Sequence, residues 1–447
     1  MFVQHLGLLA ALFAVAQAKV QYLVGPPFLR GSGKTCPADL KPQGIAIAGI
    51  DFGCDIDGTC PVNSGSFPLS GYGGSDGEGQ MKHFVTDNGL NMFRLPVSWQ
   101  YLLHGKSPGD KFDQDAFARY DKLMQACLNT GAYCMIDMHN FARFDGGIIG
   151  QGGPTNDQFG DLWSQLATAY ASDKKVVFGL MNEPHDLDIK LWSDTCQAAV
   201  TAIRKAGADK QMILLPGTNF DSAATLVSTG SAEALLKITN PDGSNDGLLL
   251  DIHKYLDENN SGQHAQCTTN NTEAFTELAA YLRKQKRIGM VSETGASSDS
   301  SCMTAFCAQN KVINDNSDVY VGLVAWAAGS FGASYVLSLT PTRQGDRWVN
   351  NELFSKCVLA PWENSEGGTS SSSTTATATR SATKPDSSST ATVSSATRTP
   401  TDNVGQGVAT DSKDAPSSAT FLKPLTVQAT LSQVACLLLG GLIHLLS

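Results

Sequence analysis

The sequence lacks the residue patterns that mark several common classes of binding site. It has no Cys-x-x-Cys pair followed by a second pair and no His-Glu-x-x-His, which argues against structural and catalytic zinc, and we expect no metal and no cofactor. No Gly-x-Gly-x-x-Gly turn follows the first apolar run, and the glycine-rich stretches Gly71–Gly79 and Gly146–Gly153 lack the Lys-Ser/Thr ending of a phosphate loop. Both stretches are therefore predicted to be loops. Basic residues do not predominate either: the formal net charge of -10 argues against a nucleic-acid partner.

Both ends of the 447-residue chain lack the features of a folded domain. Residues 1–18 hold an apolar stretch followed by Ala16-Gln17-Ala18, which is typical of a secretory signal peptide, with a buried helix as the alternative. Residues 19–42 form a short extension. From 361 to 420, serine, threonine and alanine displace nearly all large apolar residues, which predicts a disordered, O-glycosylated stalk.

Residues 421–447 end in an apolar run, Val434–Leu446, that is too short to span a bilayer core of about 30 Å comfortably. Small residues at Ser417-Ser418-Ala419, a spacer and an apolar tail are typical of a GPI-attachment signal, whose tail is removed. We therefore expect a secreted, extracellular protein that is attached to the cell surface through a GPI anchor. A membrane span or a loosely associated tail is the alternative.

The cysteine content also favours export. Of the 11 cysteines, Cys436 lies in the removable tail, and the even set that remains indicates disulfides in a secreted chain. Asn259 and Asn270 begin glycosylation sequons on either side of Cys267, which is typical of an exposed loop.

Strand-like and helix-like segments alternate between the two ends. The candidate strands are short apolar runs: Gly44–Phe52, Met92–Ser98, Tyr133–His139, Val176–Met181, Met212–Pro216, Leu248–His253, Gly289–Ser292 and Val321–Ala327. The candidate helices carry apolar residues at spacings of three and four: Asp115–Asn129, Phe159–Ala171, Ile189–Lys205, Thr272–Gln285 and Cys302–Ile313. This α/β pattern predicts a (β/α)8 TIM barrel in one catalytic domain over residues 43–360. A doubly wound open sheet is the alternative.

Polar and aromatic residues recur at the same end of these strands. They are Arg94, His139, Asn140, Asn182, Glu183, His253, Tyr255, Glu293 and Trp326. Singly, each could be structural, but the carboxyl ends of barrel strands are where this fold places its chemistry. Two strand-end glutamates, Glu183 and Glu293, are suited to glycoside hydrolysis, which in its retaining form needs two carboxyl groups about 5 to 5.5 Å apart.

The other strand-end residues suit the same reaction. Arg94 favours ionisation of one carboxyl group and so separates the two pKa values. Asn182 can bond a sugar 2-hydroxyl, and Trp326 offers an apolar face on which a pyranose ring can stack.

Several segments resemble glycoside hydrolase family 5. They are Met92–Pro96, Asp137–Asn140, Met181–His185, Asp251–Asp257, Ser292–Gly295 and Ala325–Gly329. Two further segments, Ile47–Cys54 and Gly146–Asn156, resemble the fungal endo-β-1,4-glucanases (cellulases) of its subfamily 5. The resemblance covers about residues 44–357.

The resemblance implies a role for each strand-end residue. Glu183 would be the acid/base and Glu293 the nucleophile of a retaining mechanism, with Arg94 and Tyr255 holding the nucleophile. Contacts to the sugar or to the carboxyl groups would come from His139, Asn182 and His253, and the platform from Trp326. Two further residues are expected to bind substrate, His185 and Trp192, although a core role is the alternative for Trp192.

The resemblance also implies four disulfides: Cys54–Cys60, Cys127–Cys134, Cys267–Cys302 and Cys307–Cys357. Cys36 and Cys196 fall outside this pattern, so they either pair with each other or stay free. The chain has no cysteine-rich cellulose-binding module before the barrel, which argues against a freely diffusing enzyme that digests crystalline cellulose.

The predicted activity is hydrolysis of internal β-1,4 bonds of β-glucan by a monomeric enzyme. A β-mannanase or xyloglucanase is the nearest alternative, because the residues at the cleaved sugar are shared. A non-catalytic wall glycan-binding protein is a third possibility, which the presence of both glutamates disfavours.

Overall fold

Eight parallel strands close into a barrel in the computed structural model, which describes residues 41–63 and 66–361. In chain order β1 to β8 are Gln43–Ala48, Met92–Val97, Tyr133–Met138, Val176–Gly179, Ile213–Leu215, Leu248–His253, Gly289–Thr294 and Tyr320–Gly329. Each strand pairs with its sequence neighbours, and β1 closes the ring against β8. The predicted (β/α)8 barrel is confirmed. The signal peptide, the stalk, the GPI signal and Cys36 lie outside the described residues.

The helices between the strands cover the outside of the barrel. The longer ones, α1 to α6, are Gly77–Thr86, Gln114–Leu128, Asn156–Tyr170, Ile189–Lys205, Thr272–Gln285 and Ser300–Asp315. Short helical segments lie at Trp99–Leu103, Ser231–Leu235 and Phe354–Leu359. Within the described residues, no helix has both the length and the apolarity that a bilayer crossing requires.

Side chains inside the barrel form two layers because successive strand residues point to opposite faces. The lower layer is apolar: Met92, Met135, Val177, Met212, Leu214, Leu249, Met290 and Val324. Two residues further along β2, β3 and β6 stand Arg94, Asp137 and Asp251, all buried. The apolar layer closes the barrel below, and the polar layer forms the floor of its carboxyl-terminal mouth.

One predicted loop is wrong in part. The last residues of Gly71–Gly79 form the first turn of α1, where the Asp76 side chain accepts from the Gly79 N–H at 2.9 Å and caps the helix. The second glycine-rich stretch contains Gly147–Ile148, which pairs with Arg143–Phe144 as a short antiparallel hairpin.

All four disulfides implied by the resemblance are present. The bridge Cys307–Cys357 spans 50 residues and ties the last helical segment to α6, a loop length for which a disulfide contributes about 4 kcal/mol in the chain-entropy model. Cys196 is buried within α4 and is the free cysteine of the part of the chain described.

Candidate active site

Glu293 lies at the end of β7, buried against two donors that fix its carboxylate. Arg94 Nη1 donates to Glu293 Oε2, and the Tyr255 hydroxyl donates to Oε1 at 2.7 Å. Burial alone raises the pKa of this carboxyl group, but the charges of Arg94 and His253 outweigh it and hold the pKa below its ordinary value. Glu293 is therefore an ionised carboxylate in a fixed orientation.

The Arg94 guanidinium connects three strands under the barrel mouth. Besides Glu293, its Nη2 donates to Asn182 Oδ1 at 2.7 Å and lies 3.0 Å from Asp137 Oδ1. Burial disfavours the charge, yet Asp137 and Glu293 raise the pKa of Arg94 overall, so it stays cationic. Since Arg94 occupies the Asn182 carbonyl oxygen, the amide nitrogen of Asn182 is its remaining donor.

Glu183 follows β4 and is held less tightly than Glu293. Its backbone has a positive φ of 47°, and its N–H donates to Asp221 Oδ2 at 3.1 Å. Its Oε1 lies 3.0 Å from His253 Nδ1, and 17% of its side chain is exposed, against 6% for Glu293. Carboxylate oxygens of Glu183 and Glu293 approach within 4.8 Å. Two carboxyl groups thus face each other, one enclosed and one open to the mouth.

The His253 ring joins both glutamates to a buried chain of polar groups. Its Nδ1 lies 3.0 Å from Glu183 and 3.8 Å from Glu293, and its Nε2 donates to Ser292 Oγ at 3.0 Å. Because Ser292 Oγ donates in turn to Asp251 Oδ1, it must accept from the ring. Burial lowers the pKa of His253, but Glu293 and the Glu183 hydrogen bond raise it to about 10. The ring is therefore a cation that donates from both nitrogens.

His139 and Trp326 form the opposite wall. His139 Nδ1 contacts Asp137 Oδ2 at 2.8 Å, and the imidazole stacks on the Trp326 ring at 5.6 Å between centroids. Burial disfavours its charge, but Asp137 raises the pKa of His139 overall. Trp326 Nε1 donates to the Tyr335 hydroxyl at 3.0 Å, which fixes the indole at the mouth.

The two remaining residues predicted to bind substrate, Trp192 and His185, are both buried. Trp192 is wholly buried on α4 and its Nε1 donates to the Pro216 carbonyl at 2.9 Å, so its predicted substrate contact is wrong and the core alternative holds. Both ring nitrogens of His185 are bonded to protein, to the Ile56 carbonyl at 2.8 Å and to Asp186 at 2.9 Å. Its ring nitrogens are thus engaged by protein groups, and substrate binding by His185 stays a prediction.

An aromatic residue without an assigned role stands beside Glu183 instead. The Phe220 ring, which is partly exposed, stacks on the His185 imidazole at 4.7 Å and 11°, and the Phe220 N–H donates to the Pro184 carbonyl. Its backbone is left-handed, so no strand or helix pattern of the sequence marks it.

Four buried polar residues were missed as site residues: Asp137, Asp221, Asp251 and Ser292. Asp137 and Asp251 each stand two residues before a strand-end histidine, a spacing that places both side chains on the same inward face. That spacing could have found them. Asp221 lies in a loop that contacts β4 and β6, where no local pattern signals it.

In the described part of the chain, two groups of side chains bring together atoms of the kinds that bind metal ions, within 4.8 Å of one another. They are Glu183, His253 and Glu293, and Asp221, Asp251 and His253. Both share His253, which has no free lone pair when protonated. In the second group Asp221 accepts from the backbone N–H groups of Glu183 and Gly217, and Asp251 accepts from Ser292. The donor set does not fit a resident cation well.

A parallel (β/α)8 barrel with two opposed glutamates at the ends of β4 and β7 defines a glycoside hydrolase. Residues 55–330 match the family described as Cellulase (glycosyl hydrolase family 5). The chain belongs to that family, and the predicted family and enzyme class are confirmed.

Endoglucanases are among the proteins to which the chain is similar. Endoglucanase EG-II of Hypocrea jecorina is 53% identical over 324 residues, which are 71% of this chain and 77% of that protein. A manganese dependent endoglucanase, Eg5A of Phanerodontia chrysosporium, is 39% identical over 71% of this chain and 81% of its own. The crystal structure of Cel5A (EG2) from Hypocrea jecorina superposes with a TM-score of 0.70 at 51% identity, covering 72% of this chain and 99% of that one.

Proposed function

We propose that the protein is an endo-β-1,4-glucanase that cleaves internal bonds of cellulose and related β-glucans with retention of configuration. The observation that carries this proposal is the unequal environment of two carboxyl groups whose oxygens approach within 4.8 Å. That separation leaves no room for a water between them and suits a covalent intermediate.

In the first step, ionised Glu293 attacks the anomeric carbon and forms a glycosyl ester. The bond to the leaving oxygen breaks, and Glu183 gives that oxygen its proton. In the second step Glu183 takes a proton from water, which attacks the same carbon and releases Glu293. The clamp from Arg94 and Tyr255 keeps Glu293 oriented as it gains and loses the sugar.

Sugar contacts are available around these two groups. The Asn182 amide nitrogen can donate to the 2-hydroxyl, since Arg94 occupies its oxygen. Trp326 provides an apolar wall that continues into Phe331, whose ring stacks on Tyr335 at 3.7 Å. Phe220 provides a second aromatic face on the Glu183 side.

The location is part of the proposal: a secreted enzyme, GPI-anchored, that acts as a monomer on soluble or amorphous β-glucan near its own cell. Four disulfides support an oxidising compartment. Exposure of Asn259 and Asn270 supports their glycosylation. Release of the activity from intact cells by a phosphatidylinositol-specific phospholipase would test the anchor, and activity found only in the medium would contradict it.

The activity is tested on carboxymethyl cellulose, barley β-glucan, mannan and xyloglucan with wild type, Glu183→Gln and Glu293→Gln. We expect the viscosity of the two glucans to fall well before much reducing sugar appears, and both substitutions to abolish the fall. Proton NMR of the first product would show the β-anomer. A preference for mannan or xyloglucan would contradict the proposed substrate. An α-anomer as first product would contradict the retaining mechanism. Activity that survives Glu293→Gln would contradict the assignment of Glu293 as the nucleophile.

A further inference from the structure

Asp221 connects the ends of three consecutive barrel strands. Its carboxyl Oδ2 accepts from the Glu183 N–H at 3.1 Å, after β4, and its Oδ1 accepts from the Gly217 N–H at 2.5 Å, after β5. Its backbone carbonyl accepts from the His253 N–H at 2.9 Å, at the end of β6. The side chain is entirely buried, so these protein groups are its surroundings.

The contact with Glu183 bears on a backbone conformation that is unfavourable on its own. Glu183 has φ 47°, in the left-handed region that side chains with a Cβ rarely adopt. Such a conformation persists only when neighbouring groups determine it, and the Asp221 hydrogen bond to the Glu183 N–H is one of them. A change in this conformation would turn the Cα–Cβ bond of Glu183 and so move its carboxyl group, whose Oε1 lies 3.0 Å from His253 Nδ1.

A second contact joins Asp221 to the other end of the same side chain. A carboxyl oxygen of Asp221 lies within 4.8 Å of a ring nitrogen of His253, whose Nδ1 bonds Glu183 Oε1 at 3.0 Å. Asp221 therefore contacts the backbone of Glu183 directly and lies next to the histidine that bonds the Glu183 carboxyl group. Because the Asp221 side chain is entirely buried, it would act through Glu183 and His253 rather than on the substrate itself.

We propose that Asp221 is a positioning residue for the acid/base Glu183, and that its loss impairs proton transfer to the leaving oxygen more than it impairs attack by Glu293. The inference rests on the retaining mechanism proposed above. If Asp221 only stabilised the loop after β5, its loss would lower the rates on all substrates by the same factor or leave all of them unchanged.

The test compares substrates that differ in their need for an acid. An aryl cellobioside with a 2,4-dinitrophenyl leaving group needs almost no protonation, whereas the phenyl cellobioside depends on it. Asp221 accepts from the N–H groups of Glu183 and Gly217, one on each carboxyl oxygen. In Asp221→Asn one of these two N–H groups faces the amide NH2, which donates and cannot accept, so that hydrogen bond is lost. We expect kcat/KM on the phenyl substrate to fall about 10- to 100-fold, and on the dinitrophenyl substrate by less than about threefold.

The matched control is Asp257→Asn, a buried aspartate that holds the loop after β6 through the Gly262 and His264 N–H groups. Asp257→Asn should change kcat/KM on the two substrates by the same factor. An equal loss on both substrates for Asp221→Asn, or no loss, would overturn the positioning role. Glu183→Gln is the benchmark: if it shows no leaving-group dependence while wild type is active, the proposed mechanism fails, and not the inference about Asp221 alone.

Thermal unfolding, followed by circular dichroism, separates misfolding from mispositioning. Asp221→Ser is the second variant, because a hydroxyl retains one small acceptor and removes the buried carboxyl group. For Asp221→Ser we again expect kcat/KM to fall more on the phenyl substrate than on the dinitrophenyl substrate. If neither variant is folded at the assay temperature, Asp221 is a determinant of the fold and its assignment as a positioning residue is wrong.

Discussion

The Tyr255 hydroxyl donates to the Glu293 carboxylate on Oε1, the oxygen opposite the one that Arg94 contacts. The nucleophile is thus held by a neutral donor from the end of β6 and a cation from the middle of β2. Burial raises the pKa of Tyr255 well above its usual range, so the phenol remains a donor at every working pH.

Removing that donor should slow the reaction without weakening substrate binding. In Tyr255→Phe, Glu293 keeps Arg94 but loses a hydrogen bond to a charged group, an interaction contributing about 1.5–3 kcal/mol. We expect kcat to fall about 10- to 100-fold with KM within about twofold, measured on carboxymethyl cellulose. A rise in KM at unchanged kcat would show instead that Tyr255 binds the sugar.

The same substitution should move the acidic limb of the pH profile. Burial raises the pKa of Glu293, but Arg94, His253 and the Tyr255 hydrogen bond lower it below its ordinary value of 4.5. We therefore expect kcat/KM of wild type to stay high as pH falls to that value. In Tyr255→Phe the ionised form loses a donor, so the acidic limb should shift to higher pH. A shift to lower pH would contradict this account of the clamp.

Folding stability should decline on the alkaline side because of His253. Its pKa is about 10 in the folded protein, against 6.5 for an ordinary histidine. The stabilisation from its charge is complete below pH 6.5 and is lost as pH rises through 10. We expect Tm to fall across this interval, and His253→Asn to show a smaller fall. A slope that is unchanged in the variant would mean that His253 is neutral in the folded protein.

Chelation should leave the activity unchanged. Arg94 and His253 already compensate the charge of Glu293, and a protonated His253 offers no lone pair to a cation. We expect dialysis against EDTA to leave kcat/KM the same, and added Mn²⁺ to raise it by no more than experimental error. Loss on chelation that Mn²⁺ alone restores would contradict this and would favour a site like the one implied by the name of the manganese dependent relative.

The barrel was predictable because its strands are short apolar runs buried on both faces, and α4 and α5 begin and end at the predicted residues. Helix α1 was missed because its glycines lower helix propensity, while the Asp76 cap that starts it is a single side-chain contact. Ser231–Leu235 is one turn and a half, too short for a periodic pattern.

In the site, residues at or just after the carboxyl end of a strand could be predicted, and those on the loop after β5 could not. Asn219, Phe220 and Asp221 are three successive left-handed residues, a conformation that tertiary contacts alone select. For Trp192 the helical spacing was a better guide than the resemblance. Cys196, Ala199, Val200 and Ile203 follow it at intervals that lie on the buried face of α4.

Trp192 is wholly buried and Phe220 is partly exposed, so substitutions at the two positions should have opposite effects on stability and on substrate binding. Trp192→Phe leaves the Pro216 carbonyl without its donor and a small cavity beneath α4, so the free energy of unfolding should fall by about 1–3 kcal/mol. Its kcat/KM on carboxymethyl cellulose should stay within about twofold of wild type, because no part of the ring reaches the mouth. Phe220→Ala should do the reverse, raising KM several-fold with little change in Tm, since its ring is partly exposed. Urea unfolding and steady-state kinetics on both variants measure the two effects, and a raised KM in Trp192→Phe at unchanged stability would return Trp192 to the substrate-binding residues.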